Sequence, residues 1–120
     1  MHKPTREESA QILRELPLDQ AFYFYRDVEE PTGISANSLA GFTDSIKTIE
    51  VASLEFHMNR GDFEKWVTML GDETLSQQIT HLKQENFHGD KLRKRLQQIT
   101  RLRLGFLKKL ADTPEPNSPD

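Results

Sequence analysis

The chain has 120 residues, which allows one domain with a modest hydrophobic core, and its weakly acidic net charge of −3 argues against a dedicated nucleic-acid binder. Because it contains no cysteine, disulfides, thiolate metal sites and a cysteine nucleophile are excluded. The N-terminal residues lack the apolar run of a signal peptide, and no segment approaches the roughly 18 apolar residues of a membrane-spanning helix, so we expect a cytoplasmic protein without a membrane span.

The first predicted helix begins after Thr5. Thr5 and Glu8 have the spacing of a capping box, in which each side chain accepts the other residue's backbone N–H. Pro17 is predicted to end this helix at about Glu15 or Leu16, because proline cannot continue a helix.

The segment from Phe22 to Val28 contains four consecutive aromatic residues, which favour a strand, although Asp19 before it could equally cap a short helix. If it is a strand, its local partner is the segment 34–36, reached through the five-residue loop 29–33. The sequence therefore leaves open one small β-hairpin near 22–36.

Apolar residues then recur at helical spacing and predict helices near 38–49, 63–70, 73–84 and 90–110, with a further helix over 51–60. Asn37 or Ser35 is the expected N-cap of the first of these, and Ser53 that of the helix over 51–60. Gly61-Asp62, Gly71-Asp72 and His88-Gly89-Asp90 read as helix breaks, with glycine ending one helix and aspartate capping the next. The predicted core residues are Leu39, Phe42, Ile46, Ile49, Leu54, Phe63, Trp66, Val67, Leu70, Leu75, Ile79, Leu82, Leu92, Leu96, Ile99 and Phe106.

We therefore predict a mainly α fold, a compact bundle of five or six helices. Residues 1–111 are expected to form a single helical domain. Residues 112–120 are expected to be a disordered C-terminal tail, because three prolines and no large apolar residue occur there.

Charge is divided sharply between the body and the last predicted helix. Residues 1–90 contain eight Lys or Arg and sixteen Asp or Glu, a balance of −8, whereas residues 91–110 contain eight Lys or Arg and no acid, a balance of +8. The predicted basic surface consists of Lys91, Arg93, Lys94, Arg95, Arg101, Arg103, Lys108 and Lys109.

Three interpretations of this basic helix compete. Its charges can be neutralised by the acidic body or by a protein partner, which includes a second copy of the chain; they can contact nucleic-acid phosphates; or they can meet an anionic membrane surface. The apolar row of the helix requires packing, so we favour neutralisation or protein contact and expect Arg93 and Arg101 to face acidic neighbours.

A second candidate site surrounds one helix break. His57 and Arg60 share a helix face, and Asp62 follows closely, so the three could form a ligand site together with Tyr23 and Tyr25. The alternative is structural: a half-buried His57, a capping Asp62 and an Arg60 paired with Glu55 or Glu64. No nucleophile occurs at a spacing from these residues that is typical of a catalytic site, so no catalytic residue is predicted.

Neither a metal nor another cofactor is predicted. His2, His57, His81 and His88 do not have the spacing of metal ligands, and no glycine-rich phosphate loop occurs.

Several phrases between Ala21 and Leu75 resemble a prokaryotic family known only as a domain of unknown function. They are Phe22-Tyr23-Phe24-Tyr25-Arg26-Asp27, Gly33, Ser38-Leu39, Ser53-Leu54-Glu55-Phe56-His57, Arg60-Gly61-Asp62-Phe63-Glu64-Lys65-Trp66 and Gly71-Asp72. The phrase F-H-x-x-R-G-D-F-x-x-W is the most specific part. The resemblance implies no activity, cofactor or catalytic residue.

The function expected from the residues is a non-enzymatic interaction or regulatory module. There are two alternatives: small-molecule binding or catalysis at His57, Arg60 and Asp62, and nucleic-acid binding through the basic helix.

Overall fold

The computed structural model describes residues 3–112, and within them the chain forms six α-helices and one antiparallel hairpin. The predicted mainly helical fold with a small hairpin is confirmed. The elements are α1 (Arg6–Ile12), β1 (Phe22–Asp27), β2 (Glu30–Ala36), α2 (Leu39–Thr48), α3 (Val51–Arg60), α4 (Asp62–Leu70), α5 (Glu73–Gln84) and α6 (Gly89–Ala111), with a 3₁₀ turn at Leu18–Gln20. Apart from Asp112, the predicted tail lies outside the described residues.

The capping box at the start of α1 is confirmed, since Thr5 and Glu8 exchange their hydrogen bonds. The helix ends earlier than predicted, at Ile12. The predictions for the next two N-caps are wrong. Ser38, and neither Asn37 nor Ser35, caps α2 by accepting the Gly41 N–H, and Ser53 lies fully buried within α3, whose first residue is Val51.

Glycine ends a helix, as predicted, at two of the three places, but only Asp72 caps the helix that follows, since Asp62 and Asp90 lie inside their helices and not at the N-cap. Gly61 and Gly71 adopt left-handed backbone conformations, with φ of 75° and 109°, and end α3 and α4. At the third place Asn86 takes the left-handed conformation after α5, at φ 62°, and Gly89 takes it again, at φ 61°, as the first residue of α6.

The segment 22–36 is a hairpin with a tight turn at Val28 and Glu29, not a five-residue loop. Glu29 adopts a left-handed conformation, at φ 59°, to close the turn. Pro31 lies opposite Tyr25 and has no N–H to donate, and the Thr32 hydroxyl donates to the Phe24 carbonyl instead, at 2.8 Å. The register shifts on both sides of the Tyr25–Pro31 pair. Both strands of this two-stranded sheet are edge strands, where a proline is tolerated.

One face of the hairpin joins an aromatic core. Phe22 and Phe24 are buried, and the ring centroid of Phe22 lies 5.6 Å from Phe42 and 5.2 Å from Phe63. The Trp66 ring packs 5.2 Å from that of Phe42 and donates its indole N–H to the Gln20 carbonyl at 2.9 Å. Aromatic burial therefore fixes the hairpin to α2 and α4.

The long helix α6 completes the core with a buried row that differs from the predicted one at its C-terminal end. Leu92 and Leu96 are buried as predicted, but Ile99 is only half-buried and Phe106 is 41 % exposed. Leu107 is buried in place of Phe106. The buried row continues through Arg103, and the apolar contact that follows moves by one residue, from Phe106 to Leu107.

Candidate functional site

The solvent side of α6 carries six of the eight predicted basic residues. These six define the basic face: Lys91, Lys94, Arg95, Arg101, Lys108 and Lys109, all of them exposed. From Lys91 to Lys109 the face extends roughly 27 Å along the helix, at 1.5 Å per residue. No Asp or Glu occurs in α6 after Asp90, so the face carries a single sign of charge along its length.

The other two predicted basic residues face the interior. Arg93 donates to the carbonyls of Ile46 and Ile49, at 2.7 and 2.6 Å, and thereby caps the C-terminal end of α2. Arg103 donates twice to the carboxylate of Asp72, a residue that also caps α5 through the Leu75 N–H. These two arginines are structural and do not belong to the exposed surface.

Only part of the charge on α6 is therefore neutralised by the acidic body. Within residues 3–112, Lys94, Arg101 and Lys108 have no ion pair, and Arg101 does not face the acidic neighbour that we expected. Lys91 and Arg95 instead flank the Phe87 ring, at 5.4 and 5.5 Å from its centroid. This contact holds two cations at the surface without cancelling their charge.

Apolar side chains interrupt the basic face in its C-terminal half. Leu102 is 69 % exposed, and Phe106 is the second exposed apolar residue, one turn later. Gly105 lies between them, and a Cβ at this position would meet no atom within 4 Å. The Phe106 ring is contacted by the guanidinium of Arg103, 5.4 Å from its centroid. Sequence reasoning missed this patch because it assigned Phe106 to the core.

The second candidate site is a cleft of about 300 Å³ between β1 and the junction of α3 with α4. All five predicted ligand-binding residues line it: Tyr23, Tyr25, His57, Arg60 and Asp62. Phe22, Val28, Glu29 and Phe56 complete the lining, and sequence reasoning did not select these four. Val28 and Glu29 form the hairpin turn, whose position the sequence left open, whereas Phe22 lies on β1 and Phe56 on α3.

His57 lies at the base of this cleft with both ring nitrogens engaged. The backbone N–H of Tyr25 donates to Nε2 at 2.9 Å, and Nδ1 lies 2.8 Å from a carboxylate oxygen of Asp62. An acceptor at Nε2 places the single proton of the neutral ring on Nδ1, where it is donated to Asp62. Burial lowers the pKa of His57 and outweighs the opposite effect of the Asp62 carboxylate.

Arg60 occupies the rim of the cleft. Its guanidinium packs over the Phe56 ring, 4.9 Å from the centroid, and its Nε lies 3.3 Å from the Asp62 carboxylate. The Tyr23 hydroxyl donates to the Leu18 carbonyl. The arrangement offers an aromatic wall and one rim cation to a small ligand, while His57 joins β1 to α3 and α4.

The described part of the chain contains no helix long and apolar enough to cross a membrane. Within residues 3–112, no three His, Asp or Glu side chains form a group that could hold a metal ion.

Comparison with known proteins gives a family but no function. No curated protein matches the chain, and no solved structure matches it. A family model described as a family of unknown function, DUF5752, matches residues 4–101 and extends the resemblance first carried by the phrases between Ala21 and Leu75. The match covers both sides of the His57 cleft and the N-terminal half of α6. The chain belongs to the family of unknown function DUF5752.

Proposed function

We propose that this domain is a non-enzymatic protein-interaction module that presents the basic face of α6 to an acidic surface of a partner protein. One observation carries the proposal: six exposed cations follow one side of a single helix, and no acid of that helix lies among them. A rigid, single-sign surface of this kind attracts and orients an oppositely charged partner.

The composition of the surface favours protein over nucleic acid. A phosphate backbone gains nothing from exposed apolar side chains, yet Leu102 and Phe106 stand within the basic face. Protein interfaces combine an apolar centre with a charged rim. The −8 balance of residues 1–90 also repels a polyanion that extends beyond α6.

A membrane surface is disfavoured for a different reason. Helices that lie in a membrane interface insert a wide apolar face. The apolar row of α6, with Leu92, Leu96 and Leu107, is already buried in the domain, and Leu102 and Phe106 are the two large apolar side chains of the helix that are exposed.

The test uses an acidic protein probe and two charge reversals. Fluorescence anisotropy with a labelled, Glu-rich helical peptide is expected to show salt-sensitive binding that Lys94→Glu weakens severalfold. Lys65→Glu is the matched control, because Lys65 is an exposed lysine on α4, and it should have little effect. Preferential binding of duplex DNA or of phosphatidylserine vesicles, or equal effects of the two reversals, would contradict the proposal.

A second candidate function is the binding of a small aromatic carboxylate in the His57 cleft. The convergence of Tyr25, Phe56 and Arg60 on one cleft favours it, since a ring can pack on the aromatic wall while Arg60 meets the carboxylate. Binding is favoured over catalysis because both nitrogens of His57 are occupied.

Titration with benzoate, followed by ¹H–¹⁵N NMR, checks this second candidate. Shifts confined to residues around the cleft, lost in Arg60→Gln and absent with benzyl alcohol, would support it. The absence of localised chemical-shift changes at millimolar benzoate would contradict this second candidate.

A further inference from the structure

The C-terminal half of α6 differs from the rest of the basic face in having an apolar centre. Leu102, Gly105 and Phe106 occupy positions i, i+3 and i+4, so they lie together on one side of the helix. Arg101 and Lys108 stand beside them and are both exposed. The patch therefore has two chemistries, an apolar middle and cationic flanks.

The shape of the patch is suited to close helix packing. Gly105 has open space around the position of a Cβ, so a partner can approach the α6 backbone between the two large side chains. Leu102 and Phe106 form a ridge along the i, i+4 direction, which is the direction that packs into the groove of a second helix. The core of the domain is complete without this exposed pair, so both side chains are available to a partner.

Phe106, one of the two ridge residues, is held in place by Arg103. The Arg103 guanidinium contacts the Phe106 ring, and Arg103 is itself fixed by two hydrogen bonds to the buried Asp72. The Phe106 side chain therefore loses less conformational entropy when a partner covers it.

The conformation of the partner follows from hydrogen bonding. The backbone groups in this part of α6 are satisfied within the helix, so α6 offers no edge to an added strand. An extended segment laid over Leu102 and Phe106 would leave its own N–H and C=O groups against apolar side chains. A helix satisfies these groups internally and turns only side chains toward the patch.

We propose that the Leu102–Gly105–Phe106 patch binds an amphipathic helix of a partner protein that carries an apolar stripe flanked by Asp and Glu. The apolar stripe meets Leu102 and Phe106, and the flanking acids meet Arg101 and Lys108. This inference rests on the proposed function, since it names the kind of acidic partner that the basic face receives.

Two peptides of identical composition separate the inference from the proposed function. The first places Leu at i, i+3, i+4 and i+7 with Glu on both flanks, and the second is a scramble with the same charge but no apolar stripe. Anisotropy titrations at physiological ionic strength are expected to give about tenfold tighter binding of the amphipathic peptide. Leu102→Ser should abolish this difference while leaving the binding of the scramble unchanged.

Met69→Ser is the matched control, because Met69 on α4 is also an exposed apolar residue, at 40 %, and it lies outside α6. Leu102 is exposed, so thermal melts of the Leu102→Ser variant should coincide with those of the parent chain. Equal affinity for both peptides, with sensitivity to Lys94→Glu, would overturn the helix inference and keep the acidic partner. Failure of both peptides to bind, or preferential binding of duplex DNA or anionic vesicles, would overturn both.

Discussion

The guanidinium of Arg103 on α6 donates two hydrogen bonds, of 2.8 and 2.9 Å, to the carboxylate of Asp72 between α4 and α5. The side chains are 10 % and 1 % exposed, so the pair is largely buried. Asp72 also accepts the Leu75 N–H at the start of α5. A single carboxylate therefore links the packing of α6 to the start of another helix.

Replacing Arg103 by Met should destabilise the domain strongly. The substitution keeps an unbranched side chain of similar length but leaves the Asp72 carboxylate buried with one N–H donor. Removal of one partner from a buried ion pair costs about 3–5 kcal/mol. The free energy of unfolding, measured by urea titration, checks this prediction.

Arg101→Met serves as the control for this loss. Arg101 lies two residues earlier in α6, is exposed and has no ion pair within residues 3–112, so the change should stay within about 0.5 kcal/mol. Similar losses for the two variants would mean that helix propensity or net charge, and not the Asp72 pair, determines the effect.

Trp66→Ala should also cost about 3–5 kcal/mol, because the ring is 8 % exposed and contacts Phe22 and Phe42. Trp66→Phe should lose less, since it keeps one aromatic ring in the core and removes the second ring of the indole together with the N–H donated to Gln20. Chemical denaturation of both variants gives the comparison. A loss below about 1 kcal/mol for Trp66→Ala would show that the ring contributes little to the core.

The stability of the domain should depend on the protonation of His57. The folded state lowers the pKa of His57 from its ordinary value of 6.5, mainly through burial. Below about pH 6.5 the unfolded chain then binds more protons than the folded chain. This contribution to stability is complete above pH 6.5 and is lost as the pH falls from 6.5 to the folded-state pKa.

Protonation has a direct structural cost as well. A proton on Nε2 would face the Tyr25 N–H, so the hydrogen bond that joins β1 to α3 would be replaced by two opposed donors. Unfolding curves at pH values from 7.5 to 5 should show a decline that is smaller in His57→Gln, which does not titrate. Parallel pH profiles for the two proteins would show that other groups cause the decline.

Reversing Arg93 and reversing Arg101 to Glu should have opposite consequences. Arg93→Glu removes two hydrogen bonds to α2 carbonyls and places a carboxylate at the negative end of that helix, so we expect a loss of roughly 2 kcal/mol or more. Arg101→Glu should leave the melting temperature nearly unchanged and weaken binding of the acidic peptide.

Thermal melts and anisotropy titrations, run on both variants, distinguish these roles. Weak binding without loss of stability in Arg93→Glu would place Arg93 in the basic face. A large loss of stability in Arg101→Glu would indicate an acidic neighbour that Arg101 faces after all.

Local patterns were enough to determine most of the helices. The 3.6-residue spacing of apolar residues and the breaks at Gly61 and Gly71 depend only on neighbours in sequence, and the structure confirms them. The capping box at Thr5 and Glu8 is equally local. The concentration of positive charge in residues 91–110 is likewise a property of the sequence alone.

The segment from Phe22 to Val28 could not be determined in this way. Its aromatic residues are compatible with a strand or a short helix, and only burial of Phe22 and Phe24 against Phe42 and Phe63 selects the strand. The cleft around His57 depends on that choice, because Tyr25 supplies the N–H that His57 accepts.

The role of each cation on α6 was decided by tertiary structure. Arg93, Arg101 and Arg103 are chemically identical and separated by only a few residues, and their charge alone does not distinguish them. Arg93 faces the end of α2, Arg103 meets the buried Asp72, and Arg101 remains exposed. An interior arginine needs a partner from elsewhere in the chain, and such partners become neighbours only when the helices pack.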